Sequence, residues 1–459
     1  MRRILFPYLA IVVVLVGAIV AVLGLGKRLE AGRDAAPPAV SAESGAATPL
    51  ATLLTQIVVV VVAARLCGRL SARIGQPKVI GEIVAGILLG PSLLGWVAPG
   101  ISASLFPARS LGTLRLLAEV GVLLFMFVVG LELDLKGLRA VAHTALMVSH
   151  ASILLPYFLG VVLSLGLYRS LAPAGIPFAP FALFLGIAMS ITAFPVLARI
   201  LEERGLTRTL LGSTAITCAA VDDVTAWTIL AIIVAIGKAQ SIASSGLTVL
   251  MVAAFIGFMW YVVGPAVRRI IGRGATATPS KNVLAFVLLM LIGSALTTER
   301  IGIHALFGAF LIGVVMPREP DFRAALVQRL EEVSAILFLP LFFAFTGLRT
   351  QIGLLDSAEG WLMCLAVVAV ATLGKLGGSM AAARLSGMGT LDAFSLGALM
   401  NTRGLMELIV LNVGYEMGIL SPRIFAMMVL MALVTTFSTA PLLALADLLR
   451  KRREADALS

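Results

Sequence analysis

Charge is what this sequence lacks most. Of its 459 residues only 13% are Asp, Glu, Lys or Arg, while 60% are apolar, and the mean hydropathy is +1.05. Soluble domains carry about 25% charged residues, and a soluble chain this long would need two or three domains joined by polar linkers. Here one short polar stretch near the N-terminus is followed by apolar segments to the end. That excludes a soluble protein and leaves an all-α polytopic membrane protein. The three cysteines, Cys67, Cys218 and Cys364, lie far apart with no CxxC or other ligand spacing, so they read as small buried hydrophobes. The three histidines, His143, His150 and His304, are equally isolated and lack metal-ligand spacing. They read as packing or interface residues, with His304 a minor candidate for sensing pH. The alternation of a β-barrel is absent. The net charge of +11 is divided among short loops, which marks orientation in a membrane rather than a nucleic-acid surface.

Residues 1–26 read as an N-terminal signal-anchor helix, or a signal peptide: two arginines precede an apolar run of about twenty residues. Residues 27–49 form a periplasmic linker rich in Ala, Pro, Ser and Gly. Residues 50–447 form the membrane domain, and 448–459 a short cytoplasmic tail. Thirteen apolar segments fill the membrane domain, near 50–70, 79–97, 111–131, 139–167, 180–202, 209–236, 246–270, 282–298, 301–317, 326–348, 359–385, 390–415 and 423–447. Lengths near twenty residues match a hydrocarbon core of about 30 Å, and backbone groups in lipid require helices. With the N-terminus inside, 23 of the 35 basic residues fall on the inner side and 10 on the outer. That bias places the C-terminus in the cytoplasm of a cell whose inner (plasma) membrane holds the protein.

Two segments read as interrupted helices. The fifth, 182-ALFLGIAMSITAFPVLARILEERG-205, places Pro195 inside it, just after Ser190 and Thr192. A proline there removes a backbone bond and clashes with the preceding turn. The twelfth, 397-GALMNTRGLMELIVLNVG-414, carries Asn401, Thr402, Arg403, Gly404 and Glu407 in an apolar frame. Their positions in the series differ by seven, an odd number, so they run in opposite directions. Interrupted helices at matching positions of inverted halves point to a transport site. A weaker echo joins 79-VIGEIVAGILLGPSLLG-95 to 301-IGIHALFGAFLIGVVMP-317, both glycine-spaced and ending near proline. Glycine spacing alone is common where membrane helices approach closely.

The chemistry-bearing stretch is 216-ITCAAVDDVTAWTILAI-232, where Asp222 and Asp223 interrupt an apolar run. One carboxylate at the bilayer centre costs about 2.5–3.5 kcal/mol on insertion scales. Adjacent residues on a helix point about 100° apart, so one can face a cavity while the other contacts a neighbouring helix. Lys375, in 365-LAVVAVATLGKLGGSMAAARL-385, lies too deep to snorkel easily and is the expected counter-charge, with a salt bridge that merely holds helices together as the plainer role. Arg403 and Glu407, four apart, are expected to pair on one helix face in a structural role. Glu82, Glu132 and Asp134 lie near segment ends and read as solvated, with Glu82 deep enough to need a partner. A carboxylate binds a proton or a small cation but not both well at once. One such site, open alternately to each side, suffices for exchange, and broken-helix carbonyls and dipoles beside it favour a hard monovalent ion.

Seven stretches, 80-IGEIVAGILLGPSLLG-95, 125-FMFVVGLELDL-135, 188-AMSITAFPVLARIL-201, 218-CAAVDDVTAW-227, 304-HALFGAFLIGVVMP-317, 340-PLFFAFTGLRT-350 and 400-MNTRGLMELIVLNVG-414, resemble the second monovalent cation:proton antiporter family. That family includes Kef-type potassium systems, plant CHX exchangers and bacterial Asp-Asp sodium/proton antiporters, and the resemblance covers residues 50–447. It implies a thirteen-helix antiporter-like fold with inverted repeats and two broken crossing helices, to which this chain adds one N-terminal helix. It also implies a homodimer in which a core bundle, here segments 4–6 and 11–13, moves against a dimerisation domain in an elevator-like motion. By position, Asp223 matches the essential carboxylate and Asp222 the residue before it. Ser190 and Thr192 match the unwound part of the fifth helix, and Lys375 a membrane lysine that pairs with the first carboxylate. Unlike Kef-type relatives, the chain shows no attached nucleotide-binding domain. The 400–414 stretch is similar to the CHX branch and argues for K+, while the Asp-Asp pair leans toward Na+ and electrogenic exchange.

The expected function is exchange of a monovalent cation (Na+ or K+, possibly Li+) for H+, with Asp222 and Asp223 as ion and proton ligands, Ser190 and Thr192 beside them, and Pro195, Arg403, Gly404 and Glu407 supporting the breaks. No enzyme activity, cofactor or nucleic-acid partner is expected, only membrane lipid. An intramembrane aspartyl protease needs two Asp on different helices facing one water, whereas these are adjacent. A passive potassium channel or efflux pore usually shows repeated pore loops. A cation-coupled symporter on the same fold is the nearest alternative.

Overall fold

The apolar segments from residue 50 onward are helical, as backbone polar groups in hydrocarbon require. The structure is a computed structural model and describes residues 49–132, 142–207, 209–238, 242–271 and 279–458, with isolated positions between 14 and 23. The expected N-terminal helix and linker, and Asp134, therefore lie outside the described residues. The helices are α1 (Pro49–Arg73), α2 (Lys78–Leu89), α3 (Leu94–Val97), α4 (Pro99–Leu105), α5 (Ala108–Glu132), α6 (Ala142–Leu171), α7 (Phe178–Ser190), α8 (Phe194–Glu203), α9 (Leu210–Lys238), α10 (Ile242–Phe258), α11 (Gly264–Ile271), α12 (Lys281–Ile301), α13 (Ala305–Val315), α14 (Pro320–Val333), α15 (Leu339–Arg349), α16 (Ala358–Thr372), α17 (Gly378–Leu385), α18 (Thr390–Met400), α19 (Leu405–Glu416) and α20 (Pro422–Leu458). π turns at Met259–Val263, Ser334–Phe338 and Leu373–Gly377 join α10 to α11, α14 to α15 and α16 to α17.

Among the described residues, ten helices are long and apolar enough to cross a membrane, and eleven if α18 and α19, bent by 42°, form one span. The segments near 180–202 and 301–317 are carried by shorter helices, α7 with α8 and α13. The second segment ends sooner than its apolar run, at Leu89, because Gly90 turns extended before Pro91.

The glycine echo between residues 79–95 and 301–317 has a three-dimensional counterpart. α2 packs on α1 and α15, and α13 packs on α12 and α5. A β-carbon added at Gly81 would come within 2.2 Å of the Cys67 carbonyl oxygen, and one at Gly308 within 2.3 Å of the Ser294 carbonyl oxygen. One turn and a half later, β-carbons at Gly86 and Gly313 would meet the carbonyls of Ala344 at 2.1 Å and Phe127 at 2.3 Å. Each glycine thus lets two backbones touch, and the two segments use the same spacing against equivalent neighbours. Because the obstructing atoms are backbone, Gly86→Ala is expected to cost about 1–3 kcal/mol, measured as a lowered unfolding midpoint in detergent. An unchanged midpoint would contradict the tight contact.

α6 is a central post, touching α7, α9, α16, α17 and the π turn between the last two. α18 packs on α9, α17 and α20, and α19 on α7, α15 and α20. Their inner faces enclose the polar residues considered next.

Candidate ion-exchange site

The two interrupted segments meet at their breaks. α7 stops at Ser190, Ile191 to Ala193 are extended, and α8 starts at Phe194. Pro195 occupies the first turn of α8, where the missing N–H removes no intrahelical bond. It therefore opens the second half-helix, rather than kinking a continuous helix as its place in the sequence suggested. α18 stops at Met400 and α19 starts at Leu405. Arg403 and Gly404 lie in that gap, so Arg403 precedes the helix that carries Glu407 instead of sharing a face of it, although the expected pairing of the two side chains is present.

The freed backbone groups find partners across the crossing. The Ala193 N–H donates to the Thr402 carbonyl at 3.0 Å, and Thr192 Oγ1 lies 3.2 Å from the Met400 carbonyl oxygen. Thr436 of α20 accepts the Arg403 N–H at 2.9 Å and donates to the Arg403 carbonyl at 2.7 Å. Gly404 is required by space: a β-carbon there would approach Val196 Cγ2 to 2.8 Å and Ala193 Cβ to 3.3 Å.

The last carbonyls of α7 are capped by two buried cations. Arg403 donates from Nη1 to Ala188 at 2.9 Å and from Nη2 to Met189 at 2.5 Å, and Lys375 Nζ donates to the Ser190 carbonyl. Helix C-termini leave such carbonyls unpaired and attract positive charge. Arg403 Nη1 also lies 3.2 Å from Glu407 Oε2, both side chains at 0% exposure. Ser190 contributes this carbonyl to the site, since its own hydroxyl bonds back to Ile187 at 2.9 Å.

The adjacent aspartates of α9 have opposite surroundings. Lys375 Nζ is 3.1 Å from Asp222 Oδ2, with both side chains at 0% exposure. The same carboxylate accepts from Ser149 at 2.5 Å, from Ser152 at 2.8 Å and from Thr192 at 2.7 Å. Asp223, 2% exposed, lines a narrow crevice with Ile191, Ala226, Trp227, Leu230, Met406 and Val410. Its Oδ1 is buried and has no hydrogen-bond partner among the described residues.

Beside this site opens a cavity of about 1040 Å³. Phe194, Val196 and Leu405 bring its wall to the two breaks, and Glu82, Glu132, Glu202, Glu331, Arg65 and Lys78 line it together with mostly apolar residues. Glu82, expected near a segment end, is buried yet faces this cavity. His304 lies apart from the aspartates, at the start of α13, with Leu306 N–H 3.5 Å from its Nδ1.

Ser149, Ser152 and Thr436 had no separate prominence in the sequence. Ser149 and Ser152, three apart on α6, share a face, which was the available signal, but serine in a membrane helix reads equally as packing. Nor did Lys375 announce its setting. It sits in the π turn Leu373–Gly377 rather than in regular helix, and such turns collect at functional sites.

Residues 57–445 match the family described as "Sodium/hydrogen exchanger, transmembrane". The chain belongs to that family. The exchanger is 45% identical over 396 residues to the Na(+)/H(+) antiporter NhaS4 of Synechocystis sp., covering 86% of this chain and 96% of that protein. It is 43% identical over 395 residues to Cation/H(+) antiporter 17 of Arabidopsis thaliana, again covering 86% of this chain. There it spans only about half, 48%, of the relative's length. Among solved structures, the sodium proton antiporter MjNhaP1 from Methanocaldococcus jannaschii superposes with a TM-score of 0.62 at 15% identity, covering 87% of this chain and 97% of that one. That likeness concerns the fold. The exchanger is thus a multi-pass membrane protein of a family that trades a monovalent cation for H+.

Proposed function

We propose that Asp223 is the group at which the cation and the proton compete, and that the paired breaks carry it between the two sides of the membrane. The observation that carries this reading is the asymmetry of the aspartates. Asp222 is neutralised by Lys375 and surrounded by donors, whereas among the described residues the buried Asp223 Oδ1 has none. A buried carboxylate without a partner must bind a proton or a cation to remain stable in a low-dielectric interior. A monovalent cation, Na+ or K+, supplies one charge for one charge. The 1040 Å³ cavity supports an approach route, because residues of both breaks line it beside Glu82, Glu132, Glu202 and Glu331. Its wall also includes Arg65, Lys78 and Thr207, which the basic-residue bias assigns to the cytoplasmic side.

In this reading residues 50–447 are the exchanger domain in an inner (plasma) membrane, with the C-terminus cytoplasmic. α6–α9 and α16–α20 form the moving core, and two copies pair through the remaining helices. Alternating access distinguishes the exchanger from a passive channel, and proton counter-movement from a symporter. The test is proton flux in proteoliposomes followed with a pH-sensitive dye. Adding Na+, K+ or Li+ to one side should release protons from the other side in the direction opposite to the cation. Active protein that shows no counter-flux with any of the three ions, or proton movement in the same direction as the cation, would overturn the proposal.

A further inference from the structure

We infer that Ser149 and Ser152 are positioning residues that, with Thr192 and Lys375, keep Asp222 anionic through the transport cycle, so that one cation exchanges for one proton and no net charge moves. The inference rests on Asp223 being the exchange site. It departs from the electrogenic exchange that the adjacent Asp pair suggested in the sequence.

A carboxylate offers about four lone-pair positions. Asp222 has four donors around it: Ser149 on Oδ1, and Ser152, Thr192 and Lys375 on Oδ2. Ser149 donates to Asp222 Oδ1 at 2.5 Å. Ser152 and Thr192 each hold a single hydroxyl proton and lie near a second acceptor. For Ser152 this is the Ser149 carbonyl at 2.8 Å, equal to its distance from Asp222. For Thr192 it is the Met400 carbonyl at 3.2 Å, longer than its 2.7 Å to Asp222. A charged acceptor draws such protons more strongly than a neutral carbonyl. Asp222 therefore holds these hydroxyls as long as it remains charged.

The consequence is a division by charge. A proton arriving at Asp222 would cancel the charge that holds Lys375 and the three hydroxyls in a fully buried cluster, and a cation arriving there would meet hydroxyl protons and the Lys375 ammonium. Among the described residues, Asp223 Oδ1 has no donor of this kind. The Asp222–Lys375 pair keeps a net charge of zero, as does the buried Arg403–Glu407 pair near it. Only Asp223 changes its occupant: its carboxyl releases one proton as its carboxylate receives one monovalent cation, and the reverse occurs on the other side. Atoms and charge balance with no further carrier.

Full-length protein in proteoliposomes tests this directly. Opposing cation and proton gradients are adjusted until flux stops, at several membrane potentials set by an ionophore for an ion that the exchanger does not carry. For one-for-one exchange the null ratio stays the same at every potential. An exchanger that moves one net charge per cycle shifts its null tenfold for each ~59 mV. In Ser149→Ala/Ser152→Ala, Asp222 loses two donors, and the null is expected to become potential-dependent. Infrared difference spectra on acidification should then show an added protonated-carboxyl band, removed by a further Asp222→Asn change. Wild type should show no band that Asp222→Asn removes. A wild-type null that shifts with potential, or a double variant matching wild type in both measurements, overturns the inference. If the double variant does not fold, each single variant is read in the same way. If neither single variant folds, the wild-type null and infrared spectrum decide the matter. Exchange surviving in Asp223→Asn is a separate outcome, which removes the underlying site assignment.

Discussion

Asp223→Asn is expected to abolish cation-driven proton flux in proteoliposomes while leaving the fold intact. Asparagine matches the shape of aspartate but cannot alternate between a protonated and a cation-bound form. Because the Asp223 side chain faces a crevice of apolar residues and the broken segment, and its Oδ1 has no hydrogen-bond partner among the described residues, the amide is expected to break no bond that holds helices together. Burying an unpaired carboxylate costs stability, whereas a neutral amide costs less. The unfolding midpoint should therefore stay the same or rise. Flux should fall to that of empty liposomes for Na+, K+ and Li+ alike. Wild-type flux in this variant would show that some other group carries the proton, and a collapsed midpoint would assign Asp223 to structure.

Lys375→Met is expected to have the largest effect on stability. It removes the Asp222 counter-charge and the donor to the Ser190 carbonyl while keeping the length of the side chain. Removing one partner of a buried ion pair typically costs about 3–5 kcal/mol, because the remaining charge is left uncompensated. Flux should be lost as well, since the unpaired Asp222 becomes a second carboxylate able to take a proton or cation beside Asp223. The decisive comparison is Asp222→Asn/Lys375→Met. Replacing both charges of a buried pair is often nearly neutral, so the double variant should recover most of the midpoint lost by the single change. If the double variant is as unstable as Lys375→Met alone, the lysine acts chiefly through the Ser190 carbonyl rather than through Asp222.

Much of the architecture was legible in the sequence because the membrane imposes it. Apolar length and the need to satisfy backbone groups place helices at nearly every expected segment. The two interruptions were visible as polar residues in apolar frames, and the glycine echo as spacing. What escaped was geometry that depends on distant partners. Pro195 marks a break, but only the fold shows that it starts a half-helix. The four-residue interval from Arg403 to Glu407 suggested a shared helical face, yet the chain unwinds between them so that Arg403 can reach the carbonyls of Ala188 and Met189. Asp222, Asp223 and Lys375 drew notice because charge in hydrocarbon is costly. Ser149 and Ser152 did not, because a hydroxyl in a membrane helix carries little penalty and bonds its own backbone when no partner is near.

The capping of α7 by Arg403 and Lys375, and the bonds from Ala193 to Thr402 and from Thr192 to Met400, have a mechanical meaning. In the motion proposed above, every one of these contacts joins parts of the same core, so the crossing would travel with its own internal solvent. No helix would have to rewind and no exposed amide would have to find water as the site changed sides. The work of such a stroke would fall instead on the seam where α19 meets α15 and where Arg349 at the end of α15 grips Asn412 and Glu416 at 2.9 Å each. Turnover speed is then a property of that seam, and ion choice a property of the cargo bay, so the two can be altered independently.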